Sequence, residues 1–146
     1  MMTIRRQEIV KLEDVLHLYQ AVGWTNYTHQ PQMLKKALSH SLAIYIALDG
    51  DAVVGLVRLV GDGFSSIFVQ DLIVLPSYQR QGIGSALMKE ALGDYKDAYQ
   101  VQLVTEQTEK TLEFYSSLGF ETLSTYDCTG MICCLLYTSD AADDSL

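Results

Sequence analysis

The sequence predicts an α+β fold, a mixed and mostly antiparallel sheet flanked by helices. Three observations predict it: two helical patterns near the start, a meander of three strands joined by tight turns, and two strand–helix units after it. Residues 3–8 alternate weakly and predict a first strand. Glu13 and Asp14 open a helix that carries Val15, Leu16, Leu18, Tyr19 and Val22 and stops at Gly23. Residues 24–30 read as an aromatic-rich loop, and Pro31 fits the first position of a second helix with Met33, Leu34, Ala37 and Leu38 on one face. Residues 42–48 and 52–60 are strands joined by the Asp49-Gly50-Asp51 turn, and Gly61-Asp62-Gly63 leads into a third strand, 66–75. A helix to about residue 95, a strand at 101–105 and a helix at 109–118 ended by Gly119 follow, with residues 120–123 and 131–136 expected as closing strands.

The chain has 146 residues, 49% of them apolar and 19% charged, which suits one domain with one core. Its formal net charge of −8 and the lack of a basic patch argue against nucleic acid and suit a cationic partner such as an amine. No apolar window is long enough to span a membrane, and the first residues lack an apolar signal core, so the expected location is the cytoplasm. Cys128, Cys133 and Cys134 are odd in number and clustered late, and His17, His29 and His40 are scattered, so neither a disulfide framework nor a metal site is expected. The run from Cys134 to Asp144 resembles translated sequencing-adapter sequence. The expectation is therefore a domain over residues 1–132 and a non-native or disordered tail over 133–146, the native end being lost from about Cys133 onward.

The most informative segment is Gln79-Arg80-Gln81-Gly82-Ile83-Gly84. It joins an apolar strand closed by Pro76 to a helix that carries Ile83, Ala86, Leu87 and Ala91. A glycine turn at a helix start aims bare N–H groups and the positive end of the helix dipole at one point, which suits a phosphate. Ser85-Ala86 follows Gly84 where an ATP or GTP loop needs Lys-Ser/Thr, and Leu87 stands where a dinucleotide fingerprint needs Gly or Ala. Two further features narrow the ligand. One is the upstream strand Asp71-Leu72-Ile73-Val74-Leu75-Pro76. The other is Phe114-Tyr115 followed by Gly119-Phe120, on a helix whose Leu112, Tyr115 and Leu118 share a face.

With Gln79, Gly82 and Gly84 meeting a Q/R-x-x-G-x-G/A signature and Phe114-Tyr115 with Gly119-Phe120 meeting F-Y-x-x-x-G-F, the chain resembles the GNAT family of acyl-CoA N-acyltransferases over about residues 3–132. In look it is similar to small bacterial members and to plant arylalkylamine-type acetyltransferases, through Val22-Gly23-Trp24, Asp71 and Pro76-Ser77-Tyr78-Gln79. The resemblance implies a GNAT fold with a splayed pair of parallel strands, and an acetyl-CoA-dependent N-acetyltransferase with no metal. It implies that the amides of Gln81, Gly82, Ile83, Gly84 and Ser85 hold the CoA pyrophosphate, framed by Gln79 and Arg80. It further implies that Leu72, Ile73 and Val74 pair with the pantetheine arm, in a cleft between residues 71–74 and 101–105.

Tyr115 is the implied acid, because a phenol can protonate the departing thiolate. Asp71, in an apolar strand beside the pantetheine contacts, is the expected base, with Glu106 as the alternative. Thr108 stands where relatives often carry Asn ahead of the Tyr-bearing helix, and there it can cap that helix. Tyr19, Trp24, Tyr27 and Tyr45 are expected to supply an aromatic acceptor pocket for a small amine or a protein amino group. No cysteine is expected near the cleft, which favours direct attack over an acyl-enzyme. The competing readings are a non-catalytic acyl-CoA-binding module and a different nucleotide-binding domain that uses only the glycine turn. The resemblance allows a homodimer, and nothing in the chain marks an interface.

Overall fold

The computed structural model describes residues 1–133 and divides the chain into two compact units, the first Met1–Gln107 and the second beginning at Thr108. The first unit runs β1 (Met2–Arg6), α1 (Leu12–Ala21), α2 (Thr25–Thr28), α3 (Pro31–Ser39), β2 (Ala43–Asp49), β3 (Ala52–Gly61), β4 (Ser66–Val74), a 3-10 turn Pro76–Tyr78, α4 (Ile83–Asp94) and β5 (Gln100–Leu103). The aromatic segment expected as a loop thus contains the short helix α2, with His29 N–H closing onto the Thr25 carbonyl at 2.9 Å.

Among the described residues the strands form one sheet in the order β1-β2-β3-β4-β5, antiparallel except for the parallel pair β4–β5. Every residue of β2 but the last is buried, so the strand is covered on both faces. Its alternate side chains divide between two layers. Ile44, Ile46 and Leu48 join Val15, Leu18, Leu34, Leu38, Leu56 and Ile73 in the core under α1, α2 and α3. On the opposite face lie Tyr45 and Ala47 with α4, which buries Ile83, Leu87, Met88 and Ala91. Gly55 allows α4 to come close: a Cβ there would meet the Ile73 carbonyl oxygen at 3.1 Å and Leu87 Cδ1 at 3.2 Å. Each large aliphatic side chain fully buried in these layers contributes about 1.5–3 kcal/mol.

Two irregularities in β4 position the site. Arg58 pairs with Asp71 while Leu59 pairs with Val69, so Gln70 is the extra residue of a β-bulge. The parallel ladder to β5 runs from Ser66↔Gln100 to Val69↔Leu103 and ends there. Bulge and ladder end therefore coincide.

In the second unit, α5 (Glu109–Ser117) is capped by Thr108, whose Oγ1 accepts the Thr111 N–H at 3.2 Å. Gly119 ends this helix at φ 94°, and the Phe120 N–H reaches back to the Tyr115 carbonyl at 3.0 Å. The closing strand expected at residues 120–123 does not form. Leu123–Tyr126 is a 3-10 turn instead, stabilised by Thr125 N–H to the Thr122 carbonyl at 3.1 Å. Cys128 N–H also turns back, to the Leu123 carbonyl at 3.0 Å. Residues 131–133 form no strand either, and the remainder of that expected strand and of the tail lie outside the described residues.

Candidate active site

The open half of β4 is the first element of the site. Leu75 N–H donates to the Val54 carbonyl at 2.9 Å, so Leu75 faces β3. Backbone groups alternate between the two edges of a strand, which places those of Asp71 and Ile73 toward β3 and those of Leu72 and Val74 on the edge that β5 has left. The side chains of Leu72 and Val74 are half-buried. An unpaired edge of this kind is where an extended amide-bearing ligand can add itself as a strand.

That edge leads directly into the glycine turn. Gln79 donates from Nε2 to the Val74 carbonyl at 3.0 Å, which closes the end of the strand onto the turn. Gln81 Nε2 reaches the Ser77 carbonyl at 3.5 Å. Arg80 adopts φ 65° and Gly82 φ 80°, two left-handed residues within three positions. For a residue with a Cβ this conformation costs about 1–2 kcal/mol, which Gly82 avoids and Arg80 does not. Gly82 is the N-cap of α4 and no side chain caps that helix. The first N–H groups of a helix have no acceptor within it, which holds here for Ile83, Gly84 and Ser85. A Cβ added at Gly82 would meet nothing within 4 Å, so the approach to the turn is open. Leu72, Ile73, Val74 and residues 79–85 thus lie along one strand end, turn and helix start.

Asp71 has different surroundings from those expected of a base. Its Oδ2 accepts Arg58 Nε at 2.7 Å and the Tyr19 hydroxyl at 2.9 Å, and its Oδ1 accepts the Tyr27 hydroxyl at 3.0 Å. Asp71 is 2% exposed and Arg58 4%. Arg58 also donates from Nη2 to the Tyr27 hydroxyl at 3.1 Å and from Nη1 to Ser41 Oγ at 3.2 Å. Burial, and then the Asp71 charge, hold the Tyr19 phenol far above its ordinary range, and the same two causes raise that of Tyr27. Both hydroxyls therefore stay protonated and donate. Among the described residues no buried side-chain nitrogen or oxygen lacks a partner. Arg58 was not singled out from sequence, although a lone arginine in the apolar run 53–60 is a signal, because a buried guanidinium requires a carboxylate.

The expected aromatic group divides. Tyr19, Trp24 and Tyr27 cluster edge-on or tilted, with centroid separations of 6.1, 5.1 and 6.3 Å. Tyr45 lies on the opposite face of the sheet, where its hydroxyl donates to Asp94 of α4 at 2.5 Å, so it forms no part of that cluster. Strand alternation separates it: Ile44 and Ile46 point toward α1 and Tyr45 does not. In the second unit, Tyr115 is half-buried between Phe114 and Phe120, at centroid separations of 4.9 and 5.9 Å. Glu106 is exposed, beyond the end of β5.

A family model described as an acetyltransferase (GNAT) domain matches residues 40–122. A solved GNAT-family acetyltransferase of Streptococcus pneumoniae TIGR4 is 79% identical, with a TM-score of 0.86 over 91% of this chain and 97% of that one. The chain belongs to the GNAT N-acetyltransferase family, whose fold it shares. Among curated relatives, an uncharacterized ycf52-like N-acetyltransferase of Prochlorococcus marinus is 29% identical over 80% of this chain, and the chloroplastic serotonin N-acetyltransferase 2 of rice (Oryza sativa subsp. japonica) 28% over 62%. The chain spans 64% and 48% of the length of these two proteins. No helix among the described residues is long and apolar enough to cross a membrane.

Proposed function

We propose that the protein transfers an acetyl group from acetyl-CoA to a primary amine by direct attack. The observation that carries this reading is the β4 edge at Leu72 and Val74, which no strand among the described residues pairs, leading through the Gln79 bond to the Val74 carbonyl into the α4 N-terminus at Gly82. A pantetheine arm carries amides that suit the edge, and a pyrophosphate suits the N–H groups that follow. Residues 72–74 hold the arm, Gln81, Gly82, Ile83, Gly84 and Ser85 hold the pyrophosphate, and the Arg80 guanidinium, exposed at the turn, pairs with a phosphate.

The amine nitrogen attacks the acetyl carbonyl, the C–N bond forms and the C–S bond breaks. A cationic acceptor first loses its ammonium proton to water, and after the attack the nitrogen releases a second one; the Tyr115 hydroxyl, in the acid role that the family resemblance implies, gives its proton to the departing sulfur and regains one from water. Asp71 takes no proton in this scheme, because each of its oxygens already accepts a hydrogen bond from a buried donor. The formal charge of −8 favours a cationic acceptor, small or part of a protein, and the rice relative named a serotonin N-acetyltransferase makes serotonin one amine to try first.

Steady-state release of CoA thiol with a panel of amines tests the reading. Turnover on an amine supports it, and acetyl-CoA binding without turnover on any acceptor favours a binding module instead. Tyr115→Phe should lower kcat by about 100-fold or more while leaving CoA affinity unchanged. Unchanged turnover in that variant would remove Tyr115 from the scheme.

A further inference from the structure

The bulge at Gln70 coincides with the end of the β4–β5 ladder, and the buried polar group is attached to Gln70, to Asp71 and to Arg58 on β3. Asp71, just past the bulge, is bound to Arg58 directly across on β3 at 2.7 Å. The Tyr27 hydroxyl donates to Asp71 at 3.0 Å, accepts Arg58 at 3.1 Å and accepts Gln70 Nε2, from the bulged residue itself, at 3.4 Å. Tyr19 completes the carboxylate from α1 at 2.9 Å. A strand with an extra residue has an alternative nearby, since sliding by one position restores the ladder and turns every side chain to the other face. At this position a slide would carry Asp71 away from Arg58 and leave a buried charge unpaired, which is strongly unfavourable.

We propose that the Arg58–Asp71 pair, with the Tyr27 and Tyr19 hydroxyls, is a lock that holds the β4 bulge and so keeps the edge at Leu72 and Val74 open before any ligand arrives. Arg58, Asp71 and Tyr27 are positioning residues, and they act on the affinity for acetyl-CoA rather than on proton transfer. This part of the inference rests on the reading that the pantetheine arm lies along that edge. The geometry agrees: the Asp71 carboxylate is directed into the layer of α1 and α2, whereas the open edge lies in the plane of the sheet. A lock also pre-organises the site, because the ligand need not bring about the opening itself.

The test compares wild type, Tyr27→Phe and Asp71→Asn by three measurements. The first is amide hydrogen exchange at Asp71 and Ile73 in the ligand-free protein, whose N–H groups face β3. The second is the acetyl-CoA KM against kcat, and the third is the pH–rate profile. Tyr27→Phe should speed exchange at both amides and raise the acetyl-CoA KM by about fivefold, with kcat and the profile unchanged; Asp71→Asn should do the same with a rise of about tenfold or more. If Asp71→Asn does not fold, Tyr27→Phe decides, since it removes one oxygen and no charge. Exchange that stays at the wild-type rate in both variants overturns the lock. So does an Asp71→Asn enzyme that loses kcat at constant KM together with the acidic limb of its profile, for Asp71 would then be the base. A wild-type protein that does not bind acetyl-CoA defeats the acetyltransferase reading alone, and the exchange rates still decide the lock.

Discussion

Two glycine turns flank β4, and they use their N–H groups in opposite ways. In the turn before it, Asp62 Oδ1 accepts the N–H groups of Phe64, Ser65 and Ser66 at 2.7, 2.8 and 3.1 Å. The Ser65 hydroxyl and these N–H groups hold the Asp62 carboxyl well below its ordinary range. Gly61, at φ 129°, leaves no room for a side chain, because a Cβ would collide with the Ser66 carbonyl. In the turn after β4, Gly82 caps α4 without a side chain and faces open space. The first turn carries its own anion and is complete. The second has no side-chain cap of its own, and in the proposed reading the CoA pyrophosphate takes that place. Glycine and a positive φ therefore serve two kinds of turn, one closed by its own carboxylate and one without a side-chain cap.

The strongest way to break this comparison is to give the second turn a carboxylate. Gly82→Asp should weaken CoA binding by about 100-fold, since a fixed negative charge now occupies or repels the anion position. Calorimetric titration with CoA measures the loss, and affinity within threefold of wild type would show that the turn does not hold the pyrophosphate. The reciprocal change is smaller and of another kind. Asp62→Asn should lower the thermal midpoint by roughly a few degrees, with CoA affinity nearly unchanged.

The same carboxylate sets a pH dependence. Its folded pKa lies below the unfolded value, so its contribution is present above about pH 4 and is lost as the pH falls toward the folded pKa. Acid melts of wild type and Asp62→Asn should therefore converge as the pH falls below that value. A gap that stays constant down to low pH would contradict the assignment. The smallest effect concerns the rim of the second turn. Arg80→Ala should weaken CoA binding by about three- to tenfold, and less at high salt, because the guanidinium is exposed and screened. A loss independent of salt would point to a role for Arg80 in turn geometry instead.

Much of the fold was legible in the sequence, since it depends on local patterns. The three meander strands, the turns at Gly50 and Gly61 and the helix after Gly82 follow from alternation, turn residues and helical periodicity. The strand end at residues 72–74 and the turn and helix start at 79–85 were legible for the same reason, being parts of one local segment. The short helix α2 was missed because four residues carry no periodic signal. A closing strand was expected at residues 120–123, yet a strand also requires a neighbouring edge, and among the described residues that segment runs into a 3-10 turn.

The sequence alone determined a strand, a glycine turn and an uncapped helix in direct succession, with Phe114-Tyr115 and Gly119-Phe120 beyond them, and these place the chain among acetyltransferases. The tertiary structure decided what surrounds Asp71. Read alone, it is a carboxylate in an apolar strand, and a base is a reasonable expectation. Its partners lie on β3, α1 and α2, far away in the chain, and only folding brings Arg58, Tyr19 and Tyr27 to its two oxygens. A carboxylate's chemistry depends on which donors surround it, and that is a property of packing across elements rather than of any local run of residues.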